Sequence, residues 1–227
     1  ESLVGMDFRV RNNQLYALGR SGRLYTIDTE RASVRMVGSG AGVALDGRSF
    51  GFDFNPTVDR IRVVSDSGQN LRLHPDTGAM VDGNAEQPGL QPDAPLTIAP
   101  GDRSQGRYLS VVGAAYSYNK FDPKITTNYV LDATWGLLLV QGSVEGHRPV
   151  VSPNTGQLRT VGSLGVGTFT HASFDIDVLS DRAFAVLHSV GARHSRWVAI
   201  DLATGRARTL GEIGGAEPVT AMALEPQ

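Results

Sequence analysis

The sequence contains no cysteine, which excludes disulfides, thiolate zinc sites and cysteine nucleophiles. It lacks net charge of any size, at −2, and so lacks the electrostatic footprint of a nucleic-acid binder. No apolar run reaches the roughly 18 residues of a membrane span. No Gly-x-Ser-x-Gly elbow anchors a hydrolase triad. The Gly-rich stretches "GVALDGRS" and "GSLGVG" have no following helix to receive a phosphate. No amphipathic helix of about ten residues or more can be drawn. The chain begins at Glu1, as expected of a mature or trimmed product whose export signal is out of view. Absence of thiols also suits an exported bacterial protein.

What is present is short alternation. "QLYALG", "RLYTID", "RIRVVS", "NLRLHP", "NYVLD", "FAVLH" and "RWVAID" read as half-buried strands separated by Gly and Asn/Asp turns. These segments recur as sets beginning at Gly5, Gly51 and Ser173. Each set has an Asp-bearing first strand, and "PDTG" or "LATG" precedes the fourth strand in two of them. A degenerate copy starts at Gly113, and "VTAMALEP" near the end resembles one more first strand. Four-stranded units repeated along an all-β chain predict a small β-propeller, since closing a ring buries faces that isolated sheets would expose. With 227 residues, of which 41% are hydrophobic, one domain over 1–227 is expected. Five blades, one incomplete, are favoured, with four as the rival count. Residues 84–106 form an irregular insertion.

The strings "LVGMDF", "GRLYTID", "FGFDFNPTVDRIRVVSDSGQNLRLHPDTG" and "LRTVGSLG" resemble a family of bacterial secreted domains of unknown function, across nearly the whole chain. The resemblance implies a propeller-like β fold and a cell-envelope or extracellular setting. It implies no activity and transfers no catalytic residue.

Strand polarity in a propeller places the loops between second and third strands, and the links between blades, on one face, here the upper. His188 ends a second strand and His194 begins a third, while His171 opens the same blade's first strand. All three are expected on the upper face, with His74 and His147 on the lower. Three imidazoles without thiolate suit copper, with zinc as the alternative, and leave a coordination position open. Arg193 and Arg196 beside them would guide a small anion to the metal. The expectation is a secreted three-His copper protein acting on a small oxygen species such as superoxide. In the plainer reading the arginines are ordinary edge-strand charges.

Asp7, Asp53 and Asp175 share one position in "GMDF", "GFDF" and "SFDI", where Ala115 and Ala223 stand in the degenerate copies. Around an axis they could hold a cation, or each could accept backbone N–H bonds from a neighbouring strand. Asp177 and Asp181 flank a tight turn and suit turn chemistry. Tyr116, Tyr118 and Phe121 form an aromatic patch with Lys120 and Lys124. The alternative to the metalloprotein is a non-catalytic envelope propeller that binds a protein, glycan or lipid-like partner, or a structural module of a surface assembly.

Overall fold

The structure is a computed structural model that describes residues 1–215 and 217–226; Gln227, where the expected domain ends, lies outside the described residues. Four small antiparallel sheets form a four-bladed β-propeller. Blade one comprises β1 (Leu3–Arg9), β2 (Gln14–Gly19), β3 (Leu24–Asp28) and β4 (Ser33–Met36). Blade two comprises β5 (Phe50–Asn55), β6 (Arg60–Ser65) and β7 (Asn70–Leu73). A bridge between Leu73 and Met80 stands where its fourth strand would be. The short β8 (Thr97–Ile98) follows. Blade three then uses β9 (Val111–Tyr116), β10 (Asn128–Asp132), β11 (Leu137–Gln141) and β12 (Gln157–Ser163). Blade four is β13 (His171–Ile176), β14 (Ala183–His188), β15 (Ser195–Ile200) and β16 (Ala207–Ile213).

The expected count of five is corrected to four sheets. "VTAMALEP" forms no strand, although its backbone still reaches the place a first strand would take. Met222 N donates to Ser173 Oγ at 2.7 Å, and Leu224 N to Asp175 Oδ2 at 2.6 Å. On its other side Thr220 Oγ1 donates to Leu3 O at 3.2 Å. The segment therefore lies between β13 and β1, and among the described residues no second strand pairs with it. The irregular stretch 84–106 carries β8, which pairs parallel with β12 and so extends the outer edge of blade three.

Inner strands are buried on both faces and outer strands are not. All six residues of β9 are buried, whereas all four of β4 are exposed. Apolar packing gathers between blades. Phe50, Phe52 and Phe54 of β5 pack with Tyr16 and Leu18 of β2, and Phe174 and Leu187 pack with Val112 and Leu131. Two positions before each axial Asp or its Ala equivalent, blades one to three have glycine. A Cβ at Gly51 would meet Ala114 N at 2.5 Å, and one at Gly5 would meet Phe52 Cβ at 2.4 Å. The inner strands approach each other this closely because those Cβ atoms are missing. Blade four has Ser173 instead, facing the terminal segment, and its hydroxyl takes the Met222 N–H.

Candidate functional site

The strand register fixes the axial positions. Asp7 pairs with Tyr16, Asp53 with Arg62, Ala115 with Tyr129, and Asp175 with Phe184. Each Asp serves the next blade: Asp7 Oδ2 accepts from Phe54 N at 2.8 Å, and Asp53 Oδ2 from Tyr116 N at 2.8 Å. Asp175 Oδ2 does the same for Leu224 N. Where Ala115 or Ala223 precedes, no carboxylate arrives from behind. There the Asp turns to its own successor: Ile176 N donates to Asp175 Oδ1 at 2.6 Å, and Phe8 N to Asp7 Oδ1 at 2.7 Å. Five backbone N–H groups, four of them buried, are thus satisfied by three carboxylates, as buried donors require. Asp53 Oδ1 accepts none of them.

The ligand oxygens of Asp7, Asp53 and Asp175 all lie within 4.8 Å of one another. No other set of three His, Asp or Glu side chains meets that distance among the described residues. Burial pushes all three carboxyls up, Asp175 to about 7. Next after burial, the Asp175 charge raises Asp7, and the Asp7 and Asp175 charges raise Asp53. The Asp7 and Asp53 carboxyls are also close enough to interact directly, which raises Asp53 and lowers Asp7. Burial, and then these three carboxylates, push the Tyr118 hydroxyl up as well, so that ring lies close to the cluster. Protonated, the cluster holds the blades together; ionised, it offers oxygens to a cation.

The histidines divide. His171 and His188 are Cα partners across β13 and β14, so their imidazoles stand side by side. Burial, and then His188, lower His171. His194 belongs to neither position. It is exposed, and its Nδ1 donates to Gly214 O at 3.0 Å. His188 Nδ1 bonds to Ser195 Oγ at 3.1 Å, and that hydroxyl accepts from Val219 N at 3.3 Å. Both histidines that flank the turn therefore hold the chain as it leaves β16 for the axis. Arg196 is occupied too, donating to Val166 O at 2.7 Å and Ser189 Oγ at 3.2 Å, while Arg193 is exposed. A three-imidazole cluster beside two anion-guiding arginines is not the arrangement found.

The expected aromatic patch also divides. Tyr116 is buried and its hydroxyl accepts from Arg62 Nε; Tyr118 turns toward the axial carboxylates; Phe121 alone is fully exposed, at 99%. Its loop is held firmly, since Asn119 Oδ1 accepts from Phe121 N and Asp122 N, and Glu145 accepts from Asn119 Nδ2 and Ser117 Oγ. Asp177 accepts from Leu179 N and Ser180 Oγ and serves its turn as expected, whereas the Asp181 side chain reaches the loop of the neighbouring blade and accepts from Tyr118 N. Sequence reasoning missed a buried network around Arg62, which donates to Asp93, Asn70 and Asn154. The signal was two arginines, Arg60 and Arg62, alternating with apolar residues inside "RIRVVS".

A protein-family model described as "Domain of unknown function (DUF4394)" matches residues 1–223. No curated protein matches the chain. A structural-genomics protein of unknown function from Bacteroides thetaiotaomicron VPI-5482 superposes with a TM-score of 0.57 at 11% identity, over 97% of this chain and 54% of that one. Hydrazine synthase of Kuenenia stuttgartiensis gives 0.50 at 14% identity, over 92% and 49%. The chain thus spans about half the length of these structures, and at such identities the likeness is one of fold alone. Among the described residues, no helix is long and apolar enough to cross a membrane.

Proposed function

Because the chain belongs to the DUF4394 family of domains of unknown function, we propose, from its surface alone, that it is a non-catalytic propeller that docks a protein partner on its lower face. One observation carries this reading. The loops joining first to second strands in blades two, three and four each expose an apolar side chain: Val58 at 56%, Phe121 at 99% and Leu179 at 51%. All three loops emerge on the same face around the axis. An exposed Phe on a pre-ordered loop, flanked by Lys120 and Lys124, has the character of an interface hot spot and suits a partner with an apolar patch and acidic rim. The upper face exposes Tyr108 at 72%, Trp135 at 49% and Val190 at 85%, but Trp135 Nε1 donates to Tyr108 O and Arg107 stacks on the indole, so that Val190 alone stands without such contacts. The test is photo-crosslinking from position 121 and from position 190 in extracts of the source organism. A single species should crosslink at 121 only, be competed by unlabelled wild type, and not be competed by Phe121→Ser. Equal competition by Phe121→Ser would overturn the reading, provided the variant melts as wild type does.

The His171–His188 pairing favours a second reading, a two-imidazole copper or zinc site on the upper face of an exported protein. Each ring has its Nδ1 engaged, His171 with Thr170 Oγ1 and His188 with Ser195, which leaves the Nε2 atoms for a metal. Calorimetric titration with Cu(II) should lose its binding event in His171→Ala and keep it in His194→Ala. Superoxide turnover requires that binding first. Loss in both variants, or no event in the wild type, removes this reading.

A further inference from the structure

The lower face also holds a cleft of about 350 Å³ between blades two and three. Its lining includes Arg60 and Arg62 from β6, Arg72 from β7, Tyr116 from β9, and Asn154. Three guanidiniums line it, and no carboxylate does. Among the described residues, the one carboxylate bonded to these arginines is Asp93, fully buried behind them. Its Oδ2 takes Arg62 Nη1 at 2.5 Å and Arg72 Nε at 2.8 Å, and its Oδ1 takes Arg72 Nη2 at 2.8 Å. Asp82, beside Arg72, spends Oδ1 on the N–H groups of Asn84 and Gln91 and does not line the cleft. Asp59 is bound to Arg9, with Arg11 close by.

Arg62 spends its donors on its neighbours, whereas Asn154, Tyr116, Arg60 and Arg72 each keep a donor free among the described residues. Asn154 Oδ1 accepts from Arg62 Nη2 at 2.7 Å, leaving its amide N–H groups. The Tyr116 hydroxyl accepts from Arg62 Nε at 3.3 Å, leaving its proton. Arg72 Nη1, and Arg60 Nε and Nη2, donate to no acceptor among the described residues. Arg62, 2% exposed, is locked by its neighbours and so cannot swing out to water. A concave wall of fixed donors with surplus positive charge is complementary to a small molecule rich in acceptor oxygens. The volume sits at the small end of ligand sites, near that of one sugar or a short organic acid.

We propose that this cleft binds a small, multiply charged oxyanion, one whose charge lies on carboxylate or phosphate oxygens, with Arg60 and Arg72 as the forks that grip it. A second, more open arginine-bearing cleft, lined by Arg103, Arg107 and Arg206 at blades three and four, has only exposed cations and serves as the control. The experiment is isothermal titration of the full chain with inorganic phosphate and, separately, with succinate, at constant ionic strength made up with chloride. Wild type should bind at least one of them in the millimolar range or tighter, and which of the two it prefers tells phosphate-bearing from dicarboxylate ligands. Arg60→Gln should weaken that binding about tenfold or more, because a charged fork is lost. Its own bonds run only to the carbonyls of Val58 and Asp59, so the buried network stays intact. Arg72→Gln should act likewise, and Arg206→Gln should change nothing. Phe121→Ser should bind the anion as wild type does, which separates this site from docking at Phe121, although Val58 borders both. No binding of either anion by wild type, unaltered binding in Arg60→Gln, or loss in Arg206→Gln would each overturn the proposal.

Discussion

Asp53 occupies the most constrained position at the residue scale. Its Oδ2 is committed to the backbone of blade three, and its carboxyl lies against that of Asp7, which helps burial push it up. Because burial raises the folded-state values of Asp7, Asp53 and Asp175, the folded protein holds more protons than the unfolded chain above the ordinary carboxylate range. Stability therefore falls as pH rises from about 4 toward about 7. Asp59, Asp76 and Asp102 are lowered instead, and their contribution is lost only at more acid pH. His171, held neutral, opposes the trend below about pH 6.5. The melting temperature should rise between about pH 8 and about pH 5, and Asp53→Asn should reduce that slope while matching or exceeding wild type at about pH 8. The amide keeps an acceptor for Tyr116 N and gives Asp7 a neutral donor. A slope unchanged by the substitution would show that the cluster does not control it.

Blade spacing belongs to the scale of elements. Gly51 lets β5 lie against β9, and the contact it would make is with backbone, which cannot rotate away. Gly51→Ala should cost about 2 kcal/mol, read as a lower denaturant midpoint with unchanged slope. Ser173→Gly, at the equivalent position in blade four, should cost less, because it removes only the hydroxyl's two hydrogen bonds to Met222, one of them long at 3.3 Å, and creates no clash. Equal costs would mean that the close approach of inner strands is not what these glycines provide.

The whole molecule is a ring whose closure is uneven. Buried apolar clusters fill the three spaces between successive blades, whereas blades four and one meet across the terminal segment. Hydrogen exchange should follow that gradient. Amides of β5 and β9, buried on both sides, should be the slowest, and those of β16 and the terminal segment the fastest. Uniform protection around the ring would argue for a single cooperative unit without a weak seam.

The sequence by itself determined the class of fold, because period-two alternation and a repeating strand set survive in any all-β ring. It also carried the axial Asp positions, since equivalent places in a repeat must become equivalent places in the ring. The blade count was not legible. "VTAMALEP" has the residues of an inner strand, but a strand needs a neighbour to pair with, and the tertiary arrangement gives it none among the described residues. The histidines were misjudged for the same reason. Polarity correctly brought His171 and His188 to one end of a blade, yet the direction of each ring depends on which backbone group lies nearby, and for His194 that group is Gly214 O. The cleft between blades two and three was invisible, because Arg60 and Arg72 of blade two meet Tyr116 and Asn154 of blade three only where the two blades close. Local pattern decides which face of a strand is buried; what it is buried against is decided by the ring.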